Sequence, residues 1–453
     1  MREALAYARR YRARFVDELK SFVRFPSVSA EPAHRNDVRA CAEWLAKHLR
    51  AIGMPRVALL ETKGAPVVFA ASRQRPGRQT LLIYGHYDVV PAAGAATAWR
   101  TPPFDPQIRG SNLYGRGVCD DKGQMFIHVK ALESYLRNGG PPVNVKCIFE
   151  GEEEVGSPHL SSFIRRHARA LRANAAVISD TKMLGPGRPA ISYSQRGVLG
   201  VEIEVSGPDA ELHAGNFGGA IHNPAQVLCE IVAGLHDSRG RCIIPGFYDS
   251  VRKWSTSERS YMRRTGPRDE EIVSQAQRGG AWGERGFSQY ERTTIRPAVT
   301  INGITSGHQG TGVKAVIPPR AVAKIGLRLV PDQDPAEIAG LLREHIARVT
   351  PPTVRAAVRV LSQARPALVD RNEPAMHAAT LAYEKGFGAR PIFIRSGGTI
   401  PVVDMFRREL GIPTVLMGFA LPSDRIHAAN EKFHLPDFFK GIETSTRFMA
   451  ALA

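Results

Sequence analysis

The segment TLLIYGHYDVVP, residues 80–91, joins a short apolar run to a polar turn that contains His86 and Asp88. An apolar run of this length is typical of a strand that is buried on both faces. Similar runs alternate along the chain with segments of helical periodicity. The other runs are PVVFAAS (66–72), VNVKCIFE (143–150), AAVIS (175–179), PIFI (391–394) and PTVLMG (413–418), and the helical segments are 3–24, 122–137, 158–172, 376–386 and 399–410. This alternation predicts an α/β fold with a mostly parallel central sheet.

The middle of the chain has a different pattern, in which the predicted elements follow the ferredoxin-like order β-α-β-β-α-β. The strands are expected at 198–207, 298–304, 320–331 and 353–361, and the helices run from Asn223-Pro224 to about His236 and from Pro335 to about Val349. Residues 239–297 form a polar insertion, rich in arginine and glycine. The sequence therefore predicts an α/β domain of residues 1–197 and 368–453, interrupted by an α+β domain of residues 198–367.

Composition and charge narrow the class of protein. The chain has 453 residues, and 43% of them are hydrophobic, which is ordinary for a globular protein. There are 61 Lys and Arg against 43 Asp and Glu, so the net charge is +18. Because the arginines are dispersed, this excess favours a solvated basic surface over a nucleic-acid site. We expect no membrane span, because no apolar run is long enough, and no secretory signal, because MREALAYARRYRARF carries charge throughout.

The cysteines indicate a reducing compartment. The chain has five of them, scattered and without a C-x-x-C pair. This distribution argues against a disulfide framework and against a thiolate zinc site. We therefore expect a cytoplasmic protein.

Five groups of potential metal ligands follow predicted strands or precede a predicted helix. They are His86 with Asp88, Asp120 with Asp121 in YGRGVCDDKG, Glu152 with Glu153 and Glu154 in EGEEEVGS, Asp180, and His427 in RIHAANEKF. In open α/β sheets, ligands bind beyond the carboxyl ends of the strands. Each group taken alone is more typical of a turn, a helix cap or a solvated helix start. Together they favour a metal site, because five such coincidences at equivalent places are improbable.

The ligand types indicate which metals the site would hold. Imidazole and carboxylate without thiolate suit zinc or manganese in a hydrolytic site. Two metals about 3.5–4 Å apart need a bridging carboxylate and terminal ligands on each side, and two histidines with three carboxylates supply that set. The prediction is two divalent metals, with zinc preferred and manganese or cobalt as alternatives.

These motifs resemble the zinc metallopeptidase family of carboxypeptidase G, succinyl-diaminopimelate desuccinylase, aminoacylase and carnosinase. The likeness extends from FVRFPSVS (22–29) to IHAANEKF (426–433), and YGHYDVVP with EGEEEVGS is its most specific part. Three further segments are most similar to the cytosolic non-specific dipeptidase branch: LYGRGVCDDKG (113–123), RPAVTINGITSG (296–307) and SGGTIPVV (396–403). The resemblance implies a zinc catalytic domain and a lid domain that forms a homodimer.

The resemblance also implies a role for each matching residue of the catalytic domain. The implied ligands are Asp120 as the bridge, His86 and Asp180 on one metal, and Glu154 and His427 on the other. Glu153 would be the general base, and Asp88 would orient His86.

The resemblance further implies a set of substrate-binding residues, two of which, His213 and Arg328, lie in the lid. His213 would reach the partner subunit's active site, and Arg328 would bind the substrate carboxylate. Gly398 and Thr399 would hold the substrate backbone. The chain departs from the family at Ala315, where a polar Thr or Asn is usual, so a hydrogen bond to the substrate is expected to be missing.

The resulting hypothesis is a metallopeptidase that cleaves the amide bonds of dipeptides or short peptides with a metal-bridging water and a glutamate base. A deacylase of N-acyl- or N-carbamoyl-amino acids stays an alternative, because it would use the same metals and base. A basic nucleic-acid-binding protein with an idle metal site is a remote alternative, which the intact Glu153 and ligand set disfavour. We expect a small peptide-like substrate and a homodimer, and neither nucleic acid nor membrane as a partner.

Overall fold

The computed structural model describes residues 1–92, 98–274 and 280–453. The chain divides into two compact units. The first comprises Met1–Tyr193, Val369–Ile394 and Val402–Ala453, and the second comprises Ser194–Leu368 and Arg395–Pro401.

The regular elements of the described residues alternate along most of the chain. The α-helices are α1 (Arg2–Arg10), α2 (Arg12–Val23), α3 (Arg35–Ala51), α4 (Lys122–Leu136), α5 (Leu160–Leu171), α6 (Ala214–Phe217), α7 (Pro224–Ala233), α8 (Thr256–Thr265), α9 (Asp269–Ser274), α10 (Gln289–Thr294), α11 (Pro335–Val349), α12 (Pro374–Phe387), α13 (Pro401–Met405) and α14 (Leu435–Ala451). The strands are β1 (Arg56–Leu60), β2 (Val67–Ala71), β3 (Thr80–His86), β4 (Gln107–Arg109), β5 (Asn112–Tyr114), β6 (Asn144–Glu150), β7 (Ala175–Ile178), β8 (Ala190–Gln195), β9 (Gly197–Ser206), β10 (Leu212–His213), β11 (Ala298–Ser306), β12 (Val316–Ile317), β13 (Arg320–Leu329), β14 (Arg355–Ala364), β15 (Ala367–Leu368), β16 (Ile392–Ser396), β17 (Thr414–Met417) and β18 (Lys432–His434). Single 3-10 turns lie at Pro32–His34, Glu153–Val155 and Pro422–Asp424, and a π-helical turn lies at Phe406–Leu410.

The first unit is built around a sheet with the strand order β1-β2-β6-β3-β7-β17-β8. The four central strands, β6, β3, β7 and β17, are parallel, and antiparallel strands extend the sheet on both sides. Every residue of β7 and β17 is buried, as expected for parallel strands that are covered on both faces. The predicted α/β class is confirmed, and the parallel pairing is confined to the centre of the sheet.

Two predicted helices of this unit begin or end differently from the expectation. The segment 3–24 contains two helices, α1 and α2, which are separated at Tyr11, where φ is −104° and ψ is 22°. The helix expected from 399 begins at Pro401, because proline fits the first turn, where its missing N–H is not needed. Thr399 therefore lies in the loop before α13.

The second unit contains an antiparallel sheet with the strand order β11-β13-β9-β14. This order, with α7 and α11 as the intervening helices, is the ferredoxin-like arrangement that the sequence predicts. Alternate residues of β9 and β13 are buried and form a core with both helices, in which Leu199, Ile203, Leu228, Ile325 and Leu342 are almost fully buried. The opposite face of the sheet is half-exposed.

The insertion of residues 239–297 contains α8, α9 and α10 among its described residues. Met262, Tyr290 and Ile295 form a small apolar cluster of its own, with Trp254 and Ile272 packed against it. Ser288 caps α10 by a reciprocal pair of hydrogen bonds with Glu291. The insertion is therefore an ordered part of the second unit around these residues, although its polar composition gave no helix signal.

Candidate metal centre

The topology of the first unit brings the ends of three neighbouring strands to one edge of the sheet. The register of β3 and β6 pairs His86 with Glu150, and the register of β3 and β7 pairs Tyr84 with Ile178. Parallel strands end at the same edge, so His86, the Glu153–Val155 turn and Asp180 follow one another there. Gly85 allows a close approach, since a Cβ on it would lie 2.8 Å from Asp121 Oδ2 and 2.6 Å from Met125 Cβ.

The predicted ligands form two groups that share one carboxylate. His86, Asp120 and Asp180 form one group, and Asp120, Glu154 and His427 form the other, with the ligand atoms of each group within 4.8 Å of one another. His86 Nε2 lies 3.2 Å from Asp120 Oδ1, and His427 Nε2 lies 2.9 Å from Asp120 Oδ2 and 3.3 Å from Glu154 Oε1. The two oxygens of Asp120 thus face different histidines, which is the arrangement of a bridging carboxylate.

Two of these atoms are buried without a hydrogen-bond partner among the described residues. They are His86 Nε2, whose contact with Asp120 lacks hydrogen-bond geometry, and Glu154 Oε1. A buried polar atom without a partner costs free energy. Both atoms belong to the two groups around Asp120, so a cation bound there would satisfy them. The donor set therefore fits a divalent metal.

The charges of the site also fit a cation. Burial raises the pKa of Asp180 well above its usual range, and the nearby Asp120 and Asp121 carboxylates raise it further. The adjacent carboxylates of Asp120 and Glu154 raise the pKa of His427 to about 10. Several carboxylates thus compete for protons in a small volume, and metal ions would supply the missing positive charge.

Asp88 holds both a ligand and the loop that carries two other site residues. His86 Nδ1 lies 3.1 Å from the Asp88 carbonyl oxygen and 3.3 Å from its carboxylate. The Asp88 carboxylate accepts hydrogen bonds from the backbone N–H groups of Glu153 (3.2 Å) and Glu154 (3.1 Å) and from Ser29 Oγ (2.6 Å). Asp88 is therefore placed to orient the His86 ring and to fix the glutamate turn.

The three consecutive glutamates have different environments. Glu154 is in a ligand group, whereas Glu152 Oε2 lies 2.8 Å from His159 Nδ1. Burial, opposed by the charge of His86 and assisted by the charges of Glu154 and Asp120, raises the pKa of Glu153 to about 7. A carboxylate with a pKa near neutrality can both take up and release a proton, as a general base and acid must.

Glu431 positions the loop that presents Asp120. Its buried carboxylate accepts hydrogen bonds from the backbone N–H groups of Gly117 (3.0 Å), Cys119 (3.0 Å) and Asp120 (3.1 Å) and from Arg116 Nη1 (2.7 Å). Antiparallel pairing of β18 with β5 brings the segment after His427 beside this loop. The sequence analysis missed Glu431, although it lies in the quoted motif IHAANEKF.

The other predicted site residues lie in the second unit. Arg328 Nη1 donates to Thr399 Oγ1 at 3.2 Å, and Thr399 Oγ1 donates to the Arg196 carbonyl oxygen at 2.6 Å. Gly398 N donates to Ser396 Oγ at 3.1 Å. The structure thus brings Arg328 together with the Gly398–Thr399 loop, and it adds Arg196, which the sequence analysis missed.

His213 lies in the same unit, at the start of the short helix α6. It is exposed, and its Nδ1 accepts the backbone N–H of Gly215 at 3.1 Å. Ala315, the residue that departs from the family pattern, accepts the N–H of Ala214 at 2.9 Å through its carbonyl oxygen. Ala315 therefore holds the residue that follows His213 through a backbone hydrogen bond, which does not depend on the polar side chain usual at this position.

An α/β sheet with a parallel centre, which carries a shared-carboxylate ligand set and a partly buried glutamate beside it, defines the class of metal-dependent hydrolases. Comparison with known proteins gives the particular family. The sequence model of peptidase family M20/M25/M40 matches residues 82–451, and the chain belongs to this family. The predicted family resemblance is confirmed, and the protein is a metallopeptidase.

Individual relatives are similar over nearly the whole chain. The Cys-Gly metallodipeptidase dug1 of Schizosaccharomyces pombe is 30% identical over 460 residues, which cover 97% of this chain and 95% of the relative. The Beta-Ala-His dipeptidase of Homo sapiens is 28% identical over 407 residues, which cover 86% and 78%. The crystal structure of an M20 family metallo-carboxypeptidase, Sso-CP2 from Sulfolobus solfataricus, superposes with a TM-score of 0.88 at 30% identity and covers 97% of this chain and 99% of that chain.

The helices also bear on whether the chain could cross a membrane. Among the helices of the described residues, none combines the length and the apolar character that a membrane span needs.

Proposed function

We propose that the protein is a two-metal dipeptidase, which hydrolyses the amide bond of dipeptides or short peptides. The observation that carries this proposal is the sharing of Asp120 between two ligand groups, each with one histidine and a second carboxylate. The relatives named as dipeptidases support the same substrate class.

The metals and the residues around them would divide the chemistry. Two divalent cations, when bound, make a water more acidic and polarise the scissile carbonyl group. Glu153 takes the proton from the attacking water and delivers it to the leaving amine. Asp88 keeps His86 and the Glu153–Glu154 turn oriented through the hydrogen bonds described above. Zinc is the preferred metal, because imidazole and carboxylate ligands without a thiolate suit it.

The second unit would bind the ends of the substrate. Arg328 pairs with the substrate's C-terminal carboxylate, which a guanidinium can bind through two parallel hydrogen bonds. Gly398 and Thr399 hold the substrate backbone. We propose that His213 serves the active site of a partner subunit in a homodimer, and its exposed position supports this role.

The absence of a disulfide supports a reducing compartment. Cys41, Cys119, Cys147, Cys229 and Cys242 are all free thiols. We therefore propose a cytoplasmic enzyme.

A carboxypeptidase is the second candidate function, because a relative of 30% identity is named a metallo-carboxypeptidase. A carboxypeptidase would also use Arg328 on the C-terminal carboxylate, but it would accept longer peptides. The deacylase alternative differs in another way, since its substrates lack a free amine.

The experiment compares four matched substrates with the purified enzyme in zinc, manganese or cobalt: Ala-Ala, its C-terminal amide, N-acetyl-alanine and Ala-Ala-Ala. We expect Ala-Ala to be hydrolysed fastest. Faster release of alanine from N-acetyl-alanine would overturn the proposal in favour of a deacylase, and faster cleavage of Ala-Ala-Ala would favour a carboxypeptidase. The same assay with Glu153→Gln tests the proposed base. Glu152→Gln is its matched control, because Glu152 pairs with His159 rather than with the ligand groups.

A further inference from the structure

Arg196 is a second arginine beside Arg328 in the second unit, and it has no role in the function proposed so far. Thr399 connects the two residues, since its hydroxyl accepts from Arg328 Nη1 (3.2 Å) and donates to the Arg196 carbonyl oxygen (2.6 Å). Burial and, to a smaller extent, the charge of Arg328 lower the pKa of Arg196 to about 10. Both arginine side chains thus donate hydrogen bonds to the loop of residues 397–399, Arg328 at Thr399 and Arg196 at Gly397.

The Arg196 guanidinium is fixed on this loop by backbone carbonyl groups. Nε donates to the Gly397 carbonyl oxygen at 3.3 Å, and Nη1 donates to the Arg292 carbonyl oxygen at 3.4 Å. A Cβ at Gly397 would lie 3.2 Å from Arg196 Nη2 and 2.6 Å from the Thr293 carbonyl oxygen. Glycine at 397 therefore allows the guanidinium to lie directly against the loop, and α10 of the insertion supports it.

Neither arginine has a counter-ion among the residues that the structure describes. Within this unit, Arg259 pairs with Glu291 (2.6 Å), Arg296 with Glu284 (2.7 Å) and Arg395 with Glu258 (2.8 Å). In contrast, no carboxylate of the described residues lies within 4.0 Å of Arg196 or Arg328. Two neighbouring cations that are partly withdrawn from water repel each other and lose hydration. Such an arrangement is stabilised when an anionic ligand binds.

One substrate carboxylate supplies only one negative charge for these two cations. A dipeptide that ends in Asp or Glu supplies two, because its side-chain carboxylate is separated from the α-carboxylate by only a few bonds. We propose that Arg196 and Arg328 together form a two-arginine site that selects dipeptides with an acidic C-terminal residue. This inference rests on the proposed function, because it assumes that Arg328 binds the C-terminal carboxylate.

The test compares Ala-Asp with Ala-Asn, which have nearly the same shape and differ in the second negative charge. We expect wild-type kcat/KM to favour Ala-Asp by about tenfold, the size of one charge-assisted hydrogen bond. Arg196→Met should reduce this ratio to about one. Arg196→Lys should keep an intermediate ratio, because it retains the charge without the planar donor pair. Arg355→Met is the matched control, an exposed arginine on β14, and it should keep the wild-type ratio.

The ratio separates recognition from a merely structural role. If Arg196 only supported the loop, Arg196→Met would slow both substrates equally and leave the Asp-to-Asn ratio unchanged, which would overturn the inference. A wild-type enzyme that prefers Ala-Asn would overturn it as well.

Binding of free aspartate and asparagine, measured by calorimetry with the metal-loaded protein, gives a readout that needs no turnover. We expect aspartate to bind about tenfold more tightly, and Arg196→Met to lose this difference. Equal binding of the two amino acids by the wild type would count against the two-arginine site. If no dipeptide were hydrolysed but this difference persisted, the proposed function would fail and the two-arginine site would stand.

Discussion

Replacement of Glu431 by Gln tests whether this buried carboxylate holds the Asp120 loop in place. The side chain is fully buried and accepts four hydrogen bonds, two on each oxygen. An amide replaces one of the two acceptor oxygens by a donor, so two of the four donors lose their partner in either orientation. It also leaves Arg116, whose side chain is 1% exposed, without its counter-ion. Breaking a buried ion pair in this way costs about 3–5 kcal/mol.

We expect two measurable losses in the Glu431→Gln variant. Urea unfolding of the metal-free protein should show the loss of about 3–5 kcal/mol in the free energy of unfolding. Competition with a chromophoric chelator should show metal affinity reduced by about 10- to 100-fold, because Glu431 supports the backbone of the bridging ligand. The double variant Arg116→Met/Glu431→Gln should be less destabilised than the single one, since it removes the unpaired cation.

Glu443→Gln is the control for this prediction, because it also removes one carboxylate from an arginine pair. Its partner Arg9 is 58% exposed, and exposed pairs contribute below about 1 kcal/mol. A Glu431→Gln protein that is no less stable than Glu443→Gln, with unchanged metal affinity, would refute the reasoning.

The remaining predictions concern metal content, the base, the dimer and pH. Elemental analysis should find two divalent metals per chain, and a chelator should abolish activity reversibly; a metal-free protein with full activity would contradict this. Glu153→Gln should lower kcat by about 10²- to 10⁴-fold with its metal content retained, whereas near-normal turnover would place the base elsewhere. Equal amounts of His213→Ala and Glu153→Gln chains should recover about a quarter of wild-type activity after subunit exchange, because about half of the dimers are then mixed and one of the two sites in each mixed dimer is intact. Persistent inactivity in proven mixed dimers would exclude the shared site. The metal-free protein should lose stability as pH rises from about 6.5 to 8. In this interval the folded state retains protons that the unfolded chain releases, because folding raises the pKa of Glu153 to about 7, of Glu150 to about 8 and of His427 to about 10. Urea midpoints that rise with pH over this interval would contradict the prediction.

The fold class could be predicted from the sequence, because the strands of both sheets have hydrophobic patterns that are recognisable before the tertiary structure is known. Continuous apolar runs mark the central strands β3, β6 and β7, and strict alternation marks β9. The sequence was not sufficient for the extent of parallel pairing, since an antiparallel strand such as β2 can be as apolar as a central parallel one. The helices α8 to α10 were also missed, because short polar helices that are held by ion pairs such as Arg259–Glu291 carry no apolar periodicity.

The same reasoning explains which site residues the sequence could indicate. Metal-ligand residue types are easy to recognise when they follow a predicted strand or precede a predicted helix. For that reason His86, Asp120, Glu154, Asp180 and His427 could be proposed as a ligand set from the sequence, and the structure brings them into two groups. Glu431 and Arg196 follow no such rule. Most of their partners are backbone groups of segments far away in the sequence, and only the folded chain determines which segments meet.

These partner groups have a consequence for how the site keeps its geometry. The chain contributes the candidate ligands from segments far apart in sequence, most of them loops, and loops are ordinarily mobile. Asp88 and Glu431 counter this mobility, because each accepts backbone N–H groups directly at a ligand or next to one: Asp88 at Glu153 and Glu154, and Glu431 at Cys119 and Asp120. Since backbone N–H groups are fixed by the course of the chain, such bonds fix loop position as well as side-chain orientation. The candidate ligands can therefore be held in position before a metal arrives, by the backbone hydrogen bonds that Asp88 and Glu431 accept.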